Sequence, residues 1–127
     1  MIGVMLKIKE FAFTAYPVLD LPRARRFYEE VLGLKTSMEY VTEDFGWVEY
    51  ESGSATFALA AVSADWKPSD QGAVIAFEVE DFPAAVTALR NANVTFKREP
   101  FDTAGCHMCL ILDPEGNAVT IHKRMHN

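Results

Sequence analysis

Ala24, Phe27, Tyr28, Val31 and Leu32 recur at spacings of three and four, which lays them along one face of a helix. Asp20 stands where an N-cap belongs, Pro22 suits the first turn, and Gly33 supplies the stop. A second apolar stripe, Phe82, Ala85, Val86 and Leu89, follows Asp81 and Pro83 and runs out at residues 91–93. Between these helices the pattern changes to runs rich in β-branched and aromatic residues. These predict strands over residues 11–18, 36–41, 47–51 and 56–62, and again over 73–79, 95–99, 106–112 and 118–122.

The two halves superpose at an offset of 61 residues, where Asp20-Leu21-Pro22-Arg23-Ala24 lies over Asp81-Phe82-Pro83-Ala84-Ala85. Ser52-Gly53 and Asp113-Pro114-Glu115-Gly116-Asn117 read as turns between strands, and residues 63–72 as a polar link between the halves. The chain is thus an α+β protein of two tandem βαβββ modules, one at about residues 8–63 and the other at about 72–125. Neither half could cover both faces of its own sheet, so residues 1–127 are expected to form one domain.

Composition narrows the partners. The 127 residues are 50% hydrophobic and 24% charged, with a net charge of −6. That balance suits a globular domain able to hold its core without disulfide or metal staples, and it would repel a phosphate backbone. Nucleic acid is excluded. No apolar run approaches the ~20 residues of a membrane helix, and the start of the chain lacks the pattern of a signal peptide, so no membrane partner and a cytoplasmic location are expected. Cys106 and Cys109 in Cys-His-Met-Cys lack the second pair of a zinc site. On a strand they would point to opposite faces and serve as small buried hydrophobes.

The order of elements resembles that of the vicinal oxygen chelate superfamily, which includes glyoxalase I, extradiol dioxygenases, fosfomycin-modifying enzymes and bleomycin-resistance proteins. The residues that carry this resemblance are Val18-Leu19-Asp20-Leu21 leading into Phe27-Tyr28-Glu29-Glu30-Val31-Leu32-Gly33-Leu34, and the Asp113-Pro114-Glu115-Gly116-Asn117 turn. It implies two curled sheets that form a shared cup with the helices outside. It also implies four metal-ligand positions, which fall here on Phe13, Ala58, Val74 and Thr120. None is a usual ligand for zinc, nickel, iron or manganese. Metal-dependent chemistry is therefore not carried over, no cofactor or catalytic residue is assigned, and the metal-free bleomycin-resistance branch is the better guide.

Strand alternation then selects the residues that would face the cup. These are Phe11 and Phe13 on the first strand, Trp47 and Glu49 on the third, Ala58 on the fourth, and Val74 and Glu78 on the fifth. Thr120 and His122 come from the last strand and, by the family pattern, Leu110 from the one before it. Aromatic walls, a floor of small residues and a few polar groups describe a site for an aromatic or cationic small molecule. The competing readings are that Phe13 and Trp47 fill a closed core, that Glu49 and Glu78 are solvated charges, and that His122 is a surface residue at a strand end.

The expected function is metal-independent binding or sequestration of such a compound, as in antibiotic resistance. The alternative is a glyoxalase-type lyase or a dioxygenase using displaced ligands such as Glu49, Glu78, His107 and His122. The resemblance further implies a homodimer with cups completed across its interface.

Overall fold

The computed structural model describes residues 6–125. Its elements run β1 (Thr14–Pro17), α1 (Leu21–Arg26), a π-helical segment (Phe27–Val31), β2 (Thr36–Val41), β3 (Gly46–Ser52) and β4 (Ala55–Ala61). The second half follows as β5 (Ile75–Glu78), α2 (Phe82–Asn91), β6 (Thr95–Asp102), β7 (Cys106–Leu112) and β8 (Ala118–Arg124). This is the α+β arrangement of two βαβββ units that the repeat predicts. Among the described residues, no helix is long and apolar enough to cross a membrane.

Both helix starts follow their sequence signals. The Asp20 side chain accepts from the Arg23 backbone N–H at 3.1 Å, and that of Asp81 from the Ala84 N–H at 3.0 Å, each with a proline in the first turn. The first helix departs from a uniform α period after Arg26. It widens into a π turn in which the Leu32 N–H reaches back to the Phe27 carbonyl, and Gly33 at φ 77° ends it. That widening sends Tyr28 inward to full burial and leaves Glu29 near the surface, where it accepts from Arg25 and from the Tyr50 hydroxyl, both at 2.7 Å.

Each half folds into a four-stranded sheet with one parallel pair at the edge, in the orders β1-β4-β3-β2 and β5-β8-β7-β6. β1 runs parallel to β4 with Ala15 opposite Ala58, and β5 runs parallel to β8 with Ala76 opposite Thr120. The 61-residue offset therefore relates the two β1-type edges as well as the two helix caps. Among the described residues the two sheets are not joined by strand pairing.

The two units meet instead through their helix-side faces, which contribute to one apolar core. From the first half it takes Tyr16, Tyr28, Val48, Tyr50, Phe57 and Leu59, and from the second Phe82, Leu89, Cys109, Ile111, Val119 and Ile121. Phe57 meets Phe77 of the other sheet edge-on, with ring centroids 5.6 Å apart. Polar bonds fix the same junction. The Tyr16 hydroxyl donates to the Ala118 carbonyl at 2.7 Å and accepts from the Ile75 N–H at 2.8 Å, tying β1 to the parallel pair β8 and β5 of the second sheet.

The Asp113–Asn117 turn carries the rest. The Asp113 carboxyl accepts from the Glu115 and Asn117 backbone N–H groups at 2.8 and 2.9 Å, the pattern of an Asp-initiated turn. Gly116 takes a φ of 96° that a Cβ would resist. Asp113 also accepts from the Tyr28 hydroxyl at 2.7 Å and the Asn117 side-chain amide at 3.0 Å, while that amide donates to the Pro17 carbonyl at 2.9 Å.

Glu115 reaches from this turn to the start of α1. It accepts from the Leu19 and Asp20 N–H groups and from the Arg23 guanidinium. Burial pushes its carboxyl up, but the Asp20 amide, Arg23 and the Leu19 amide together outweigh that and hold it below its ordinary value. A depressed carboxyl stabilises the fold above its unfolded pKa and loses that contribution as pH falls through the folded one. Glu115→Gln is therefore expected to lower the melting temperature at pH 7 and to flatten its fall between about pH 5 and pH 3, with equal acid sensitivity in both proteins as the refuting result.

Cys106 and Cys109 are free and buried, on opposite faces of β7 as their spacing predicts. Burial raises the Cys109 thiol to about 11. Both are expected to resist alkylation by iodoacetamide at pH 7.5 in the native protein and to react only after unfolding; rapid native labelling would contradict this.

Candidate ligand-binding faces

With the helix-side faces buried against each other, the opposite face of each sheet remains at the surface. On the first sheet this face follows from register: Ala58 lies opposite Ala15 and Glu49, Ala60 opposite Pro17 and Trp47, and Tyr40 opposite Trp47. Alternation thus groups Trp47, Glu49 and Ala58 as the sequence predicts, and Phe13, one residue ahead of β1, joins them through its ring. The Phe13 ring meets Trp47 edge-on at 5.1 Å, and the Trp47 indole N–H donates to a Glu49 carboxylate oxygen at 2.8 Å. Ala58 and Ala60, opposite Glu49 and Trp47 in register, are buried at the base of this face. Phe13 is 50% exposed and Tyr40 60%, so this face is not the filled core of the competing reading.

Two residues of this face escaped the sequence reading. Met38 and Tyr40 alternate with Ser37 and Glu39 on β2 and extend the aromatic surface beyond Trp47. Their period of two was available in the sequence. Phe11, by contrast, belongs to no face: β1 begins only at Thr14, and Phe11 is 95% exposed ahead of it. The apolar run over residues 11–18 overstated the strand because parallel pairing with β4 covers only Thr14–Pro17.

On the second sheet, Glu78 lies opposite His122, His122 opposite Met108, and Thr120 opposite both Ala76 and Leu110. Leu110, Thr120, Glu78 and His122 therefore share the outer face, as predicted, and Val74 lies just ahead of β5, 44% exposed. His122 is not at a strand end, since β8 continues to Arg124. Its Nδ1 lies 2.5 Å from Glu78 Oε1, and the other Glu78 oxygen accepts from the Arg124 N–H at 2.8 Å. That backbone bond first, and His122 second, hold the Glu78 carboxyl below its usual value. Glu78 is thus neither a freely solvated charge nor a free counter-ion for a cationic ligand.

Further residues of this face, Arg98 and Phe101, were hidden from alternation by two bulges in β6. Register places Arg98 opposite Leu110 and Phe101 opposite Met108, and the Arg98 guanidinium lies over the Phe101 ring at 3.6 Å. His107 falls on the helix side, 2.6 Å from Asp102 through Nδ1 and stacked on Phe82 at a centroid distance of 5.8 Å. It is thereby separated from His122, and a displaced metal site drawing on both is not assembled.

The ligand positions implied by the resemblance offer a benzyl ring at Phe13, a methyl at Ala58, an isopropyl group at Val74 and a hydroxyl at Thr120. This set does not fit a divalent metal. Between the free edges of β1 and β5 lies a cleft of about 540 Å³, lined by Ala15, Tyr16, Val74, Ala76, Asn117 and Trp66 of the link. Trp66 thus borders the cleft between these two strands.

Comparison with known proteins agrees with this architecture. No curated protein matches the sequence. The chain is similar to TnmS3, an antibiotic binding protein from Streptomyces sp. CB03234, at 18% identity and a TM-score of 0.77, covering 94% of this chain and 99% of that one. It is similar also to the trypanothione-dependent glyoxalase I of Leishmania major, at 27% identity and a TM-score of 0.74, covering 91% and 87%. A glyoxalase/bleomycin resistance protein from Streptomyces sp. CB03234 aligns at 20% identity and a TM-score of 0.71, covering 88% and 98%. The sequence model of one family matches residues 10–121, nearly the whole chain. The chain belongs to the Glyoxalase/Bleomycin resistance protein/Dioxygenase superfamily.

Proposed function

We propose that this protein binds and sequesters an aromatic small molecule in the cytoplasm without the aid of a metal. The observation that carries the reading is the first sheet's outer face, where Phe13 and Trp47 meet edge-on, Ala58 and Ala60 are buried at the base, and Trp47 holds a carboxylate, Glu49, beside the rings. Rings present a flat apolar surface, and a carboxylate beside them favours a ligand with a positive group. That TnmS3 is an antibiotic binding protein supports the same reading. The test is a thermal-shift and calorimetric screen with bleomycin-like and polycyclic cationic compounds. Saturable stabilisation is expected, and a uniformly silent panel overturns the proposal. Nickel, zinc, iron and manganese are expected to give no shift, and a stoichiometric metal effect would overturn the metal-independent part.

Glu49→Gln separates the role of charge from that of shape. It is expected to weaken a cationic aromatic ligand about tenfold while leaving a neutral analogue of the same shape nearly unchanged. An equal loss for both would show that Glu49 acts only by holding Trp47.

The reading includes a second copy of the chain. Phe13, Met38, Tyr40 and Val74 leave apolar surface exposed on both outer faces, and a symmetric pair would close each face against the other type of sheet in its partner. Size-exclusion chromatography with light scattering is expected to return a dimer at micromolar concentration, and a monomer would remove this part. Residues 1–127 are further taken as one folding unit, since the core draws on both halves. A single cooperative unfolding transition is expected.

A further inference from the structure

The two outer faces are chemically unlike. The first carries rings and Glu49, whereas the second carries a row running from Glu78 through His122 and Met108 to Phe101 under Arg98. An ionised carboxylate only accepts hydrogen bonds, so at Glu78 the His122 ring presents Nδ1–H as donor. The tautomer that donates from Nδ1 carries its lone pair on Nε2. Among the described residues, Glu78 is the ring's only hydrogen-bond partner, which leaves Nε2 open at the surface of the sheet.

Beside it, Met108 and Phe101 offer a thioether and a ring face to a flat apolar ligand. The charged groups on this face are Glu78 from β5, Arg98 from β6 and Arg124 further along β8; β7 contributes the uncharged Met108 and Leu110. Two guanidinium groups against one already engaged carboxylate favour a ligand that gains negative charge.

We propose that His122 is a proton-accepting subsite for a phenolic hydroxyl of the aromatic molecule held between this second-sheet face and the first-sheet face of a second copy, with Glu78 as its positioning residue. This rests on the aromatic-binding reading above and adds a substrate class to it. The hydroxyl donates to Nε2 of His122. When the proton transfers, the O–H bond breaks and an N–H bond forms at Nε2, Nδ1–H stays on Glu78, and the resulting imidazolium and phenolate remain paired. Arg98 lies on the side where the phenolate charge spreads.

The test uses the full-length protein and two fluorescent probes, 7-hydroxycoumarin and its O-methyl analogue 7-methoxycoumarin. The hydroxyl compound is expected to bind about tenfold more tightly, with its excitation spectrum moved toward the phenolate form at a pH about one unit below the free dye's own pKa. His122→Gln should abolish the phenolate signal and the hydroxyl preference. Glu78→Gln keeps a hydrogen-bond partner for Nδ1 but removes its charge, and should move the phenolate titration to higher pH, a change that a merely structural role would not produce. Equal binding of the two coumarins, or a phenolate signal that survives in His122→Gln, overturns this inference and leaves the aromatic-binding reading standing. Failure of both coumarins to bind also overturns this inference, whereas the aromatic-binding reading falls only if the cationic panel is silent as well.

Discussion

Asp113→Ala is expected to be among the most damaging single substitutions, lowering stability by about 3–5 kcal/mol. Four donors end on this one carboxyl: the Tyr28 hydroxyl, the Asn117 side-chain amide, and the Glu115 and Asn117 backbone N–H groups. Asp113, Asn117 and Tyr28 are all buried, so water cannot take over the orphaned groups without opening the junction between the halves. The turn would lose its internal bonds, and α1 would lose the anchor that holds Glu115 against its first turn. A chain of this size should then melt on the order of 10–15 °C lower. Tyr28→Phe removes one donor and leaves the turn intact, at a cost of about 1–2 kcal/mol. Urea and thermal unfolding of both variants check the ordering, and an Asp113→Ala protein no weaker than Tyr28→Phe would show that the turn does not organise the junction.

Trp47→Ala is expected to have the largest effect on ligand binding, about 30-fold or more, as aromatic anchors do when they supply a central platform. The substitution removes the ring that meets Phe13 and frees Glu49 from its indole partner at once. Because Trp47 is only partly buried, stability should fall by about 1 kcal/mol, far less than affinity. Trp47→Phe keeps a ring without the N–H and should recover most of the binding of a neutral aromatic ligand. Calorimetric titration of the three proteins with one ligand distinguishes these outcomes. Unchanged affinity in Trp47→Ala would move the site away from the first sheet.

Much of the fold was written in local signals. Asp20 and Asp81 cap helices because a short carboxylate reaches the third backbone N–H, and that chemistry depends on no distant residue. Alternation placed Trp47, Glu49, Ala58, Thr120 and His122 on outer faces because the β3–β4 and β7–β8 pairings have no bulges. It failed on β6, where two bulges change which side Arg98 and Phe101 take. It also failed at Phe11, since the length of β1 is set by its partner. The partners of Glu78 and His122 could not be read at all: the two stand 44 positions apart and meet only through the parallel pairing of β5 with β8.

The strand edges place a limit on how copies of this chain can associate. Among the described residues, β1 and β5 each present an edge of four residues with no strand paired to it, and Pro17 at the end of β1 has no N–H to offer. At the other two edges, β2 carries a bulge, and β6 carries two bulges together with Pro100. A neighbouring strand therefore finds no long regular ladder to extend. Copies of this chain that associate would therefore do so by stacking their exposed apolar faces rather than by extending a sheet.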